Sequence, residues 1–117
     1  MKTKKQTKLV SSLDELALIT SEQNSMGRSV VLTNGAFDLL HVGHVRCLID
    51  SANLGEFLVV AINSDESVRQ NKGAGHPIHP AGERAELLSA LECVDAVYIF
   101  SEKTVDLILD KIIPDIY

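Results

Sequence analysis

An aliphatic run, Ser29-Val30-Val31-Leu32, passes directly into Thr33-Asn34-Gly35-Ala36-Phe37-Asp38-Leu39-Leu40-His41-Val42-Gly43-His44. Next comes Val45-Arg46-Cys47-Leu48-Ile49-Asp50-Ser51-Ala52, where Val45, Leu48, Ile49 and Ala52 recur at helical spacing. This order predicts a buried strand, a tight loop and a helix, with two histidines at the helix start. Such a start gathers backbone N–H groups that lack intrahelical partners at the positive end of the helix dipole, a natural seat for phosphate. His41 and His44 are three residues apart and so share one side of a helical turn. Gly43 between them presents no side chain to block a ligand. Imidazole N–H groups donate to phosphate oxygens, more strongly when protonated. Two of them together can stabilise charge building on phosphorus.

The rest of the chain repeats the alternation. Ser12-Leu13-Asp14-Glu15 has the form of a capping box, and Leu13, Leu16, Ala17 and Thr20 continue one face. A helix is expected from about Leu13 to Met26, with Gly27 at its end. The run Phe57-Leu58-Val59-Val60-Ala61-Ile62 reads as a buried parallel strand. It ends in polar Asn63-Ser64-Asp65, where open α/β sheets bind ligands. Residues 68–79 have no periodicity and are read as a polar loop carrying Lys72, His76 and His79. Pro80 opens a helix that continues to Leu91. Val94–Phe100 reads as a strand, Val105–Ile112 as a helix, and Pro114-Asp115-Ile116-Tyr117 as the opening of a further strand. The expectation is an α/β fold, a Rossmann-like parallel sheet flanked by helices on both faces.

The 117 residues suffice for one domain, with a flexible tail expected over residues 1–11. A net charge of −5, no broad basic stripe and no tryptophan argue against nucleic acid or a membrane surface as the main partner. A local cluster of His, Lys and Arg can still hold a phosphorylated small molecule. Cys47 and Cys93 form no Cys-x-x-Cys pair and are read as reduced, buried thiols of a cytoplasmic protein. No apolar run approaches the ~20 residues of a membrane span. The basic start Met1–Lys5 is not followed by a signal-peptide pattern. The glycine signatures of dinucleotide-binding folds and P-loops are missing, as is the nucleophile elbow of hydrolases. His41, His44, His76 and His79 offer nitrogens to zinc, but the last two lack the spacing of such sites, so zinc is set aside.

Asn34-Gly35-Ala36-Phe37-Asp38 followed by His41-x-Gly43-His44 resembles the signature of the cytidylyltransferase-like nucleotidyltransferases. Within that family the chain looks most like the adenylyltransferase domain of bacterial heptose-phosphate enzymes, from roughly Leu13 to Tyr117. The resemblance implies transfer of AMP from ATP to a sugar 1-phosphate such as heptose 1-phosphate, with loss of pyrophosphate, in the making of lipopolysaccharide. It implies His41, His44, Lys72 and Arg84 as catalytic residues. It implies a nucleotide site made of Asn34, Gly35, Ala36, Phe37, Asp38, His41, Gly43, His44, Asp65, Lys72 and Arg84. Mg²⁺ is expected to ride mainly on the phosphates. Asp38 is a candidate ligand to that ion or an anchor for a loop N–H. Two alternatives stay open. One is a cytidylyltransferase using CTP and glycerol 3-phosphate or a similar alcohol phosphate. The other is a nucleotide-binding module that does not catalyse, because the family's segments beyond Pro114-Asp115 are not found in these 117 residues. The reading also leaves room for a homodimer.

Overall fold

The computed structural model describes residues 8–73, 75–101 and 105–117. In chain order the elements are β1 (Leu9–Val10), α1 (Leu13–Ser25), β2 (Val30–Gly35), α2 (Val42–Ala52) and β3 (Phe57–Asn63). There follow α3 (Asp65–Lys72), α4 (Ala81–Ser89), β4 (Ala96–Phe100) and α5 (Asp106–Ile112). The strands form one sheet in the order β1-β4-β3-β2, and every pairing is parallel.

The aliphatic runs occupy the middle of this sheet because both of its faces are covered. Val30, Leu32, Val59 and Ala61 point to one side, where they pack with Leu16 of α1 and with Ile108 and Ile112 of α5. Val31, Leu58, Val60 and Ile62 point to the other, against Leu48 of α2 and Ala85 and Leu88 of α4. The period-two alternation of the strands thus sorts the apolar side chains into two cores.

Beyond β2, on the side away from β3, lies the last segment. Val31 and Ile116 form an isolated parallel bridge, and Leu32 N–H donates to the Ile116 carbonyl at 2.9 Å. Asp115 accepts from Val30 N–H at 2.7 Å and from Asn24 at 3.0 Å. The expected strand opening is therefore present as a single bridge. β2 hands the chain to β3 through α2 on one face, while its other neighbour arrives through α5 on the opposite face. The carboxyl end of β2 thus sits at a switch in topology, the place where a crevice forms in sheets of this kind.

Four expectations change. Residues 8–11 are not a tail: Leu9 and Val10 pair with Val97 and Tyr98, so the sheet gains an edge strand too short to show in a pattern. Residues 1–7 of the expected tail lie outside the described residues. Residues 68–72 of the expected loop are helical, the larger part of α3 (Asp65–Lys72). Ser64 caps α3 by accepting from Ser67 N–H, Asp65 and Glu66 sit in the first turn, and Arg69 and Lys72 in the last, so charge placement supports a helix with almost no apolar face. Cys47 is exposed and Cys93 half-buried, because α2 turns Leu48, not Cys47, into the core. In α1 the Ser12 hydroxyl accepts from Glu15 N–H as expected. The Glu15 carboxylate, however, bonds Ser11 and not the Ser12 backbone.

Candidate active site

The helix start that carries the histidines is capped by those histidines. His41 is the N-cap of α2, in extended conformation, and its Nδ1 accepts from Gly43 N–H at 3.0 Å. His44 reaches back, and its Nδ1 accepts from His41 N–H at 3.2 Å. This is the geometry of a capping box built from two imidazoles in place of a hydroxyl and a carboxylate. The rings lie 4.0 Å apart between centroids. With Nδ1 accepting, each neutral ring carries its hydrogen on Nε2, so Nε2–H is the donor left for a ligand. Burial, then the neighbouring His41 and Lys72, hold the His44 imidazole below the usual histidine range. Protonating Nδ1 of His44 would also break its bond to the backbone.

Gly43 has a different reason from the one the sequence suggests. A Cβ there would lie 2.8 Å from Cε1 and 3.1 Å from Nδ1 of His41. The glycine makes room for the capping ring itself. Phe37 takes a left-handed backbone conformation, φ 49°, rare for a bulky residue and characteristic of functional loops. Its ring meets His44 edge-on at 5.4 Å.

An open cleft of about 490 Å³ lies over this helix start, in the size range of small-ligand sites. Asn34 to Leu39 of the motif loop, His41 and His44 of the helix start, and Lys72 and His76 beyond it line this cleft. The Oδ1 of Asn34 accepts from the Tyr117 hydroxyl at 2.7 Å, which leaves the amide NH₂ as its donor. Of the expected nucleotide residues, Asn34, Gly35, Ala36, Phe37, Asp38, His41, His44 and Lys72 line the cleft, while Gly43, Asp65 and Arg84 do not. His76 and Leu39 line it although the expected site omits them. Lys72 stands at the end of α3, a firmer base than the loop expected for it.

Arg84, expected to fork onto phosphates, is fully buried behind the floor. Its Nε donates to the His79 carbonyl at 2.9 Å and its Nη1 to the Ala36 carbonyl at 2.7 Å. Its Nη2 donates to Asp65 at 2.8 Å, and the same Asp65 oxygen accepts from Ala81 N–H. Both residues are thereby committed to the protein, and the charge in the first turn of α4 is answered by acceptors remote in sequence. Asp38, 8% exposed, accepts from Ile78 N–H at 2.7 Å and from His79 N–H at 2.9 Å. Burial pushes its carboxyl up, but those two N–H groups, His76 and the Arg84 guanidinium outweigh that and hold it below its ordinary value. Asp38 is thus a loop anchor. With both its oxygens engaged and Asp65 held by Arg84, these carboxylates do not fit a protein-held Mg²⁺. No cluster of potential metal ligands occurs among the described residues.

The arrangement offers imidazole, amide and ammonium donors around a cleft in which, among the described residues, the one lining carboxylate, Asp38, is already engaged. Among the described residues no helix is long and apolar enough to cross a membrane. The chain matches the family model described as Cytidylyltransferase-like over residues 32–117. It is 46% identical over 107 residues to the "Bifunctional protein HldE" of Citrifermentans bemidjiense, an alignment covering 92% of this chain and 22% of that protein. To the protein of the same name from Hydrogenovibrio crunogenus it is 50% identical over 105 residues, 90% of this chain and 22% of the relative. The chain therefore spans less than a quarter of the length of these curated relatives. Among solved structures, the lipopolysaccharide core biosynthesis protein from Thermoplasma volcanium GSS1 is similar with a TM-score of 0.69 at 34% identity. That alignment covers 76% of this chain and 71% of the other. The match takes in the motif loop, both histidines, Lys72 and the loop that Asp38 anchors: the chain belongs to the cytidylyltransferase-like family.

Proposed function

We propose that this chain transfers a nucleotidyl group, moving AMP from ATP to a sugar 1-phosphate, with heptose 1-phosphate as the preferred acceptor. The observation that carries the reading is the pair of imidazoles that cap α2 at the cleft wall, each left with Nε2–H as its donor. In this reading an acceptor phosphate oxygen attacks the α-phosphorus in line, the bond to the bridging oxygen breaks, and pyrophosphate leaves. Little covalent chemistry falls to the protein, which positions the reactants and stabilises charge. His41 and His44 donate to the oxygens on which charge builds, and their neutral form lets them do so without losing the helix cap. Lys72 shares the cleft with them and holds the leaving phosphates. Asn34 offers its amide donor at the end of β2. Arg84, Asp65 and Asp38 act through the floor and the loop behind it. Mg²⁺ accompanies the nucleotide phosphates. The structural neighbour, a lipopolysaccharide core biosynthesis protein, supports a sugar phosphate as acceptor.

The test is pyrophosphate release by the purified chain with Mg²⁺ and each pairing of ATP or CTP with heptose 1-phosphate or glycerol 3-phosphate. Release with ATP and heptose 1-phosphate is the expected result. Release only with CTP reassigns the base, and only with glycerol 3-phosphate the acceptor. A folded chain that binds nucleotide and releases nothing overturns catalysis and leaves a binding module.

A further inference from the structure

Four side chains that line the cleft have their acceptors engaged from within the protein. Nδ1 of His41 takes the Gly43 N–H, and Nδ1 of His44 takes the His41 N–H. The Asp38 carboxylate takes the N–H groups of Ile78 and His79. Oδ1 of Asn34 is the exception, because its donor is a side chain: the Tyr117 hydroxyl, 83 positions away in sequence and at 2.7 Å. Nε2–H of the two imidazoles and the Asn34 amide NH₂ are then the donors left to a ligand, with the Lys72 ammonium in the same cleft. Such a lining suits a molecule rich in oxygen acceptors. An amide carries its acceptor on one arm and its donors on the other, so a half-turn of the Asn34 side chain would exchange them. Tyr117 decides between the two orientations. It is brought to Asn34 by backbone pairing: Ile116, the residue before it, bridges Val31, and the Ile116 carbonyl accepts from Leu32 N–H at 2.9 Å. Tyr117 itself is 63% exposed, so packing explains little of its place and the hydroxyl bond is its chief polar contact with the site.

We propose that Tyr117 is a positioning residue of this cleft, whose hydroxyl holds the Asn34 amide with its NH₂ toward an oxygen of the bound substrate. The inference rests on the phosphate reading of the cleft and adds to it a residue outside the lining. The oxygen belongs either to the nucleotide or to the acceptor, and titration separates the two. Without the hydroxyl the amide is free to turn over, and Oδ1 then meets the oxygens of the ligand, an acceptor facing acceptors.

The test is calorimetric titration of wild type, Tyr117→Phe, Asn34→Ala and the double variant with Mg²⁺-ATP and, separately, with heptose 1-phosphate. Thermal unfolding of each is followed alongside. Tyr117→Phe removes one oxygen from an exposed ring, so its unfolding temperature should stay with that of wild type. For one of the two ligands Asn34→Ala is expected to weaken binding about tenfold, and Tyr117→Phe about threefold to fivefold, as loss of a hydrogen bond and loss of its orientation do. The double variant should bind as Asn34→Ala does, because Tyr117 acts only through the amide; a merely structural role would add its loss to that of Asn34→Ala. The ligand that responds identifies the source of the oxygen. If Tyr117→Phe binds both ligands as wild type does, or if its loss adds in full in the double variant, the inference is overturned, while pyrophosphate release by wild type would leave the nucleotidyl reading standing. If wild type binds but transfers nothing, the nucleotidyl reading falls and a non-additive loss still supports the positioning. If wild type binds neither ligand, both fall.

Discussion

The histidine cap of the cleft and the floor loop beside it are built on opposite principles. The histidine wall is local: its hydrogen bonds join residues two and three apart, and one turn of α2 makes the whole of it. The floor loop and the scaffold packed behind it are assembled from distance. Asp38 reaches residues 40 and 41 positions away, and Arg84 bonds Ala36, 48 positions away, and Asp65, 19 away. A local wall costs the fold little to keep and its loss should show in chemistry. A scaffold of long-range polar bonds is part of the fold, and its loss should show in stability first.

The sharpest way to break that contrast is Arg84→Met. It leaves the Ala36 and His79 carbonyls without their donor and the Asp65 carboxylate without its cation, all from a fully buried site. Urea unfolding should show a loss of about 3–5 kcal/mol. A variant as stable as wild type would mean that this scaffold is not structural. His44→Ala should do the reverse. Turnover should fall on the order of 10²–10³-fold, as for removal of one charge-stabilising donor, while stability drops by only about 1 kcal/mol, the size of a lost cap. Equal turnover in a folded variant would remove the histidine wall from the mechanism. Gly43→Ala is subtler, because the added methyl pushes the His41 ring off its cap. A displacement of that kind should lower turnover roughly tenfold to a hundredfold, with His41 ring resonances shifted and the unfolding midpoint little changed.

The smallest effects separate the two by pH. His44 is held below its ordinary value of 6.5 in the folded chain, so the unfolded chain takes up its proton first. Its contribution is complete above about pH 6.5 and is lost as pH falls through the lower folded value. Asp38 is held below its ordinary value of 3.8, so its contribution persists above about pH 4 and is lost only as pH falls further. Stability measured against pH should therefore flatten near and below pH 6.5 in His44→Gln, and below about pH 4 in Asp38→Asn. Overlapping wild-type and variant curves in either window would remove that group from its side of the contrast.

How much of this the sequence discloses follows the same division. β2 and β3 are legible because parallel strands buried on both faces must be aliphatic throughout. The histidine wall is legible because spacing along one helix fixes who meets whom. α3 is not, since Val68 is nearly its only apolar anchor and its cap and end charges look like those of any polar loop. β1 is too short to carry a pattern. Arg84 is harder to place from sequence, because a cation in a first turn suggests a ligand and nothing local reveals that Ala36 and Asp65 close around it. Asp38 looks like a turn residue or a metal ligand for the same reason: the two N–H groups it holds lie forty residues on.

That grip has a consequence for motion. Ile78 and His79 belong to an irregular segment, and the Ile78 side chain is exposed, so their amides would ordinarily exchange with solvent as fast as a surface loop allows. One carboxylate closes both. Their amide protons should exchange slowly and at matching rates, because a single opening event releases the pair. Asp38→Asn should free the two together and leave the amides at the start of α2 unchanged. The segment would then be a latch with one catch, held or released as a unit.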